Sequence, residues 1–314
     1  MTTPDDRRAQ AGIEQEQHHD TAEAFSQALS AANDLWNGDA SKWIFRGQAN
    51  AEWRLTPTAL RGSEGFVKVG ITGDPSDWST RKRMIDKLLE AFHSGLERSA
   101  IVIPSIAPPV VYRNTSSVSS EPDRNAFPLM ALAQHHGLPT LLLDWSRLAR
   151  VAAYFATAPL FSPEFGALPE GDRGTHLAVW ALRLPPNEHP YDDGWHRHLV
   201  RYEAPGSTNP NLHAQSGLFT LQRDVTLDFL DPAAARDRYV SVTIETFVAR
   251  MQEKEPGKYL LRRMTLPHGE ASRLLRLLSH EGVDGASMFP GPDGVVRAMR
   301  ERALWDAPTR SVTP

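Results

Sequence analysis

The chain has 314 residues, of which 40% are hydrophobic, and a formal net charge of −4 at pH 7. Such a chain can bury a substantial core, which predicts a globular protein of one large or two smaller domains. The nearly balanced charge gives no overall reason to bind nucleic acid or an anionic membrane. The absence of cysteine excludes disulfides and thiolate metal sites.

Targeting signals are not recognisable in the sequence. The first residues lack the apolar core of a signal peptide, and no apolar run is long enough to span a bilayer. A cytoplasmic protein without a membrane partner is therefore expected. Residues 1–19 are polar without periodicity and predict a mobile tail, residues 20–305 predict one domain without a convincing linker, and residues 306–314 predict a C-terminal tail.

Hydrophobic periodicity predicts a mixture of helices and strands along the domain. Helical spacing occurs around residues 25–32, 85–96, 129–136, 148–155, 271–278 and 295–299. Short apolar or alternating runs predict strands at residues 43–45, 140–143, 176–182, 217–221, 225–229, 240–244 and 259–264. Residues 103–123 and 185–209 predict long connections. The expected class is α+β, a single mixed domain with a mostly antiparallel sheet, flanking helices and long loops.

A first polar junction, Arg46-Gly47-Gln48, continues directly from the strand predicted at residues 43–45. A guanidinium offers a rigid fork of donors to phosphate or carboxylate, and a glycine lets the backbone approach a ligand closely. Alternatively, Arg46 forms an ion pair at the surface and Gly47 is an ordinary turn glycine. Both interpretations stay open from the sequence.

A second polar junction follows the apolar strand predicted at residues 140–143. Asp144 could bind a ribose or orient a cation, and Trp145 could stack on a base; alternatively, Asp144 or Ser146 caps the next helix and Trp145 belongs to the core. His135 and His136 are adjacent in a helix and point to different faces, so no metal site is predicted. His136 lies on the apolar face and is interpreted as a core residue, whereas His135 is a candidate for a cleft.

A third polar group, the amide of Gln215, stands just before the strand predicted at residues 217–221. It could contact a polar ligand or satisfy the backbone of a loop. No GxSxG, Walker or GxGxxG motif is present, so the hydrolase, P-loop and Rossmann interpretations lose their usual support. A nuclease lacks a credible cluster of metal-binding carboxylates.

Five short motifs follow one another along the chain: Phe45-Arg46-Gly47-Gln48, Leu55-Thr56-Pro57 continuing to Arg61, Ala133 to Thr140 with Leu142-Leu143-Asp144-Trp145, Gln215 to Phe219, and Met288-Phe289-Pro290 with Asp293-Gly294. Their order, which spreads over most of residues 40–300, resembles the FRG domain family. Leu141 departs from the family pattern, which usually has arginine there, and Ser146 replaces a threonine. The family is functionally obscure, so the resemblance implies little mechanism.

The chain also resembles arginine-type ADP-ribosyltransferases in the order of its three polar junctions. That resemblance implies that Arg46 holds the pyrophosphate of NAD and that Ser146 or Asp144 holds the ribose. The glutamate that would stabilise an oxocarbenium-like transition state is absent, because Gln215 stands in the matching turn. Electrostatic stabilisation of the transition state is often the largest contribution to catalysis. Either Asp144 supplies the missing negative charge, or the site binds NAD without transferring ADP-ribose.

These observations together predict a nucleotide-binding, ADP-ribosyltransferase-like protein of a bacterial conflict or stress setting, with NAD as its cofactor. A nucleotide or another small anion is the expected ligand. The alternative is a non-catalytic module that uses Arg46, His135, Asp144 and Gln215 to bind a ligand or an unknown protein partner. The predicted catalytic residues are Asp144 and Gln215, and the predicted binding residues are Arg46, Gly47, Gln48, His135, Trp145 and Ser146.

Overall fold

The computed structural model of the protein describes residues 10–36, 38–74, 78–101, 126–185, 199–204, 210–222 and 243–305. Several predicted segments lie wholly or mainly outside the described residues. They are the connection at 103–123, most of the connection at 185–209, the strand at 225–229, most of the strand at 240–244, and the tail at 306–314.

The described part of the chain contains seven strands and twelve helices. The strands are β1 (Gln15–His18), β2 (Trp43–Gln48), β3 (Leu142–Ser146), β4 (His176–Arg183), β5 (Leu199–Tyr202), β6 (Gly217–Gln222) and β7 (Leu260–Pro267). The helices are α1 (Ala22–Ala28), α2 (Glu64–Val67), α3 (Trp78–Arg98), α4 (Phe127–His135), α5 (Ala149–Thr157), α6 (Pro163–Gly166), α7 (Glu170–Arg173), α8 (Pro210–Ala214), α9 (Ile244–Lys254), α10 (Ala271–His280), α11 (Gly285–Met288) and α12 (Pro292–Ala303). No helix in these ranges is both long and apolar enough to cross a membrane.

All seven strands belong to one sheet, in the order β1-β7-β4-β2-β3-β6-β5. The pair β1 and β7 is parallel, and the five other neighbouring pairs are antiparallel. This confirms the predicted α+β class with a mostly antiparallel sheet. Strand β4 is an interior strand, and its residues from Leu177 to Leu182 are all buried, as expected for a strand that is covered on both faces.

Strand β1 corrects the predicted mobile tail, because it forms within residues 1–19. Its backbone pairs with β7, and Nε of Arg263 donates to Glu16 at 2.6 Å. Glu14 likewise accepts from Arg262 at 3.1 Å. Hydrogen bonds and ion pairs hold this polar strand, so it has no apolar face that periodicity could detect.

Several predicted boundaries shift by a few residues. The first helix ends at Ala28 rather than continuing to residue 32. Ile244 begins helix α9 rather than ending a strand, since the Thr243 hydroxyl caps that helix by accepting from Thr246 N at 3.3 Å. Strand β3 continues to Ser146, so the second polar junction lies within a strand and not after one.

Helix α5 packs directly on strand β2 at Gly47. A Cβ atom at residue 47 would lie 1.9 Å from the carbonyl oxygen of Ala152 and 2.5 Å from the nitrogen of Ala156. The space that a side chain would occupy is therefore filled by the helix backbone. Because side chains alternate along a strand, Phe45 shares this face of the sheet, whereas Ile44 and Arg46 point to the other face.

The close approach at Gly47 predicts a large cost for a single methyl group. Gly47→Ala should lower the free energy of unfolding by about 1–3 kcal/mol, because strand and helix must move apart. Gly95→Ala is the matched control, since a Cβ at this position in α3 meets nothing within 4 Å. It should raise the free energy of unfolding by up to about 1 kcal/mol. Urea unfolding followed by circular dichroism measures both, and equal values would contradict the prediction.

Candidate functional site

A gap in the sheet separates strands β2 and β3. These neighbours pair at one position, Phe45 opposite Ser146, whereas β2 pairs with β4 over its whole length from Trp43 to Gln48. A cavity of about 300 Å³ lies beside this single pair. Its volume is at the lower end of the range that small-molecule sites occupy.

The cavity brings together six of the eight predicted site residues, which are Arg46, Gly47, Asp144, Trp145, Ser146 and Gln215. These residues belong to three separate junctions of the sequence, and the sheet makes them neighbours. The remaining lining is mainly apolar and consists of Phe45, Ala152, Phe155, Leu212, Gly217 and Leu218. An apolar cavity with a few convergent polar groups is the usual composition of a ligand site.

The guanidinium of Arg46 connects β2 to β3. Its Nη1 donates to the backbone carbonyl of Asp144 at 2.8 Å and lies 3.4 Å from the Asp144 carboxylate. The Arg46 side chain is only 15% exposed, and its Nε is buried without a hydrogen-bond partner among the described residues. A buried donor without a partner is costly, so the fold carries this cost next to the cavity.

Asp144 is the one exposed residue in a strand that is otherwise buried. Its side chain is 56% exposed, while Leu143 and Trp145 on either side are part of the core. Asp144 does not cap the next helix, because α5 begins after Leu148 and has no side-chain cap. The capping interpretation of Asp144 is therefore wrong, and its carboxylate faces Arg46 and the cavity.

Ser146 ties β3 to the turn that carries Gln215. The Ser146 hydroxyl donates to the backbone carbonyl of Gln215 at 2.8 Å and accepts from Leu148 N at 3.0 Å. Both contacts are made to backbone groups, and neither caps helix α5. The hydroxyl thus positions two chain segments that border the cavity.

The turn at residues 215–217 holds Gln215 in a defined orientation. Nε2 of Gln215 donates to the carbonyl of Met288 at 3.1 Å. Ser216 has a φ of 47°, in the left-handed region that costs a non-glycine residue on the order of 1 kcal/mol or more. Its carbonyl accepts from Arg147 N at 3.1 Å, so contacts to β3 and its continuation hold the strained turn in place.

Trp145 is mainly a core residue. It is 3% exposed, and its indole nitrogen donates to the Thr220 hydroxyl at 2.8 Å. The half-buried ring of Phe155 is the better candidate for contact with a planar ligand group, because it lines the cavity from helix α5. The sequence assigned Phe155 only to an apolar helix face, which does not distinguish a core ring from one at a cavity.

Two predicted site residues lie outside the cavity. Gln48 is 4% exposed, and its amide accepts from Trp180 at 2.7 Å and donates to the Arg54 carbonyl at 3.2 Å. His135 lies at the end of helix α4 and does not line the cavity. His136 is exposed, so its interpretation as a core residue is wrong.

The C-terminal helix α12 contacts helix α5, which forms one wall of the cavity, and it also binds the start of helix α11. Tyr154 precedes Phe155 and donates its hydroxyl to the buried carboxylate of Glu301 at 2.6 Å. The second carboxylate oxygen of Glu301 accepts from Gly285 N at 2.9 Å. Burial, and then the hydrogen bond to Glu301, raise the pKa of Tyr154. The same C-terminal unit provides Met288, the acceptor for Gln215, so it supports two walls of the cavity.

Fold and site together define a mixed α+β protein with a cavity between two strands that pair at a single position. The family model of the FRG domain matches residues 41–163, so the chain contains an FRG domain in this segment. The matched segment includes β2, β3 and α5 but not the turn at Gln215. Searches of curated proteins and of solved structures found no match. The wider boundaries of 20–305 stay a prediction.

The contact between Tyr154 and Glu301 predicts a specific loss of stability. Tyr154→Phe should lower the free energy of unfolding by about 1.5–3 kcal/mol, the value of a hydrogen bond to a charged group. Tyr259→Phe is the matched control, because this ring is also buried and no described residue forms a hydrogen bond with its hydroxyl. Urea unfolding should show a clearly smaller loss for the control. Equal losses would mean that the hydroxyl of Tyr154 adds nothing.

Proposed function

We propose that the cavity between β2 and β3 binds a nucleotide such as NAD and that the protein is ADP-ribosyltransferase-like. The observation that carries this proposal is the convergence of Arg46, Asp144 and Gln215 on one cavity. The three residues are distant in sequence and belong to the three junctions of the resemblance. A cytoplasmic location and a bacterial conflict or stress setting remain parts of the proposal.

The side chains of the cavity offer a contact for each part of a nucleotide. The guanidinium of Arg46, which lines the cavity, is suited to an anionic oxygen. The exposed carboxylate of Asp144 can accept hydrogen bonds from ribose hydroxyls, and the ring of Phe155 can pack on a base or nicotinamide. The hydroxyl of Ser146 already contacts two backbone groups, so its contribution is to hold the turn at Gln215. A cavity of about 300 Å³ would enclose one end of a dinucleotide.

A non-catalytic binding module is the second candidate, and one contact favours it. The Asp144 carboxylate lies 3.4 Å from the Arg46 guanidinium, and this positive charge weakens the field that Asp144 could direct at a developing cation. Gln215 adds no negative charge of its own. The site would then recognise a nucleotide without transferring ADP-ribose. His135, which lies elsewhere, would take no part.

Binding and turnover of NAD separate the two candidates. Arg46→Ala and Asp144→Ala should each weaken NAD binding about tenfold or more, because each removes a charged hydrogen-bonding group. Isothermal titration calorimetry measures the binding, and release of labelled nicotinamide measures turnover. Release that disappears in both variants supports the enzyme, whereas binding without release supports the module.

Arg276→Ala is the control for this experiment, because Arg276 is an exposed arginine of α10 that does not line the cavity. It should leave binding unchanged. Wild-type protein that binds no NAD, or Arg46→Ala protein that binds as tightly as wild type, would refute the proposed function.

Replacing Gln215 by glutamate tests the missing charge directly. If the cavity is ADP-ribosyltransferase-like, Gln215→Glu should increase the rate of nicotinamide release about tenfold or more, because it places a carboxylate beside the developing cation. Gln215→Ala is the control, since it also removes the donor to Met288 without adding a charge. The same measurement of released nicotinamide applies. Equal rates for the two variants would remove support for a transferase geometry.

A further inference from the structure

An aromatic ring from outside the cavity contacts the ring of Phe155, which lines the cavity from helix α5. This second ring belongs to Phe289, which directly follows helix α11. The two ring centroids lie 6.1 Å apart, and the ring planes meet at 81°. Tyr154 makes a similar edge contact with Phe155 at 5.4 Å. Edge-to-face contacts between aromatic rings are favourable and directional, so these two neighbours restrict the orientation of the Phe155 ring.

Phe289 is itself held through both its ring and its backbone. The guanidinium carbon of Arg297, on helix α12, lies 4.2 Å from the centroid of the Phe289 ring, where a cation attracts the face of an aromatic ring. The backbone nitrogen of Phe289 donates to the carbonyl of Gly285 at 3.0 Å. A Cβ atom at Gly294 would lie 1.8 Å from the carbonyl oxygen of Phe289, so helix α12 packs directly against the backbone there. Phe289 is therefore a fixed support.

The segment that ends in Phe289 also contacts two other parts of the cavity wall. The carbonyl of Met288 accepts from Nε2 of Gln215 at 3.1 Å. Helix α11 lies against helix α8, which carries the cavity-lining Leu212. Residues 285–289 thus contact the walls at α5, at α8 and at the turn of Gln215, although they do not line the cavity themselves.

We propose that Phe289 is a positioning residue of this cavity, which holds the Phe155 ring in the orientation that binds a flat aromatic group. Attraction between two aromatic rings depends on their relative orientation. A Phe155 ring without this support would lose part of its contact with such a group. The inference rests on the proposed function, in which Phe155 packs on a base or nicotinamide, and it adds the residue that makes this contact selective.

The alternative role of Phe289 is only to fill space, since its side chain also packs against the main apolar cluster of the sheet and α5. A double-mutant cycle with Phe155 separates the two roles. A residue that acts through Phe155 loses its effect on ligand binding once Phe155 is replaced. A residue that only stabilises the fold weakens binding by the same factor whether or not Phe155 is present.

Isothermal titration calorimetry on the full chain measures this cycle with NAD, nicotinamide and adenosine as probes. Phe155→Leu should weaken binding of a probe that uses this wall about fivefold or more, because the aromatic contact is lost. Phe289→Leu should weaken it about threefold or more. The double variant should bind within about twofold of Phe155→Leu alone.

Two further variants are controls for this experiment. Phe289→Tyr keeps the ring and should bind within about twofold of wild type. Phe161→Leu makes the same exchange at an exposed phenylalanine that does not line the cavity, and it should leave binding unchanged. Thermal unfolding checks that each variant is folded, and methionine replaces leucine at either position where a variant fails to fold.

The outcomes distinguish this inference from the proposed function. NAD binding that Phe289→Leu leaves unchanged, or losses that multiply in the double variant, overturn the positioning role and leave the proposed function standing. A loss in Phe289→Leu without one in Phe155→Leu overturns it as well. Binding of nicotinamide or adenosine that depends on Phe289 through Phe155, without any binding of NAD, supports the positioning role and refutes the proposed function. Wild-type protein that binds none of the three probes overturns both.

Discussion

The hydrogen bond from Arg46 to the backbone carbonyl of Asp144 is the interaction on which the site depends. Strands β2 and β3 share one backbone pair, and unpaired backbone groups in a sheet are costly unless another group satisfies them. The guanidinium takes the place of a neighbouring strand at this carbonyl. It keeps the two strands connected across a distance that leaves room for the cavity, and it keeps Asp144 directed into that space.

The surroundings of this bond constrain it from several directions. Gly47 sets the distance between β2 and α5 because only hydrogen fits against the carbonyl of Ala152. Ser146 fastens the turn of Gln215 to β3, and the carboxylate of Glu301 holds the C-terminal helices against Tyr154. The cavity is therefore built from segments far apart in the chain. The segment that matches the FRG domain model provides Arg46, Asp144 and Phe155, whereas later residues provide the wall at Gln215.

The balance of charge in the cavity has consequences for its chemistry. Asp144 beside Arg46 gives a pair with little net charge, which suits recognition of neutral hydroxyl groups better than stabilisation of a cation. The ribose hydroxyls of a nucleotide agree with this feature. Gln215 contributes a neutral amide, and this makes catalysis the more demanding part of the proposed function.

The sequence by itself determined the buried strands β4 and β6 and the amphipathic helices α5 and α10, because apolar periodicity reports burial whatever the partner is. It also identified Arg46, Asp144 and Gln215, since each stands as a polar residue beside an apolar run. Only the tertiary structure decided that Gln48 and Trp145 belong mainly to the core, because their hydrogen-bond partners Trp180 and Thr220 are distant in sequence. Apolar periodicity likewise did not predict strand β1, because ion pairs to β7 hold this polar strand. Which polar groups share one cavity depends on which strands become neighbours, and the apolar pattern of a single strand fixes its buried face but not its partner strands.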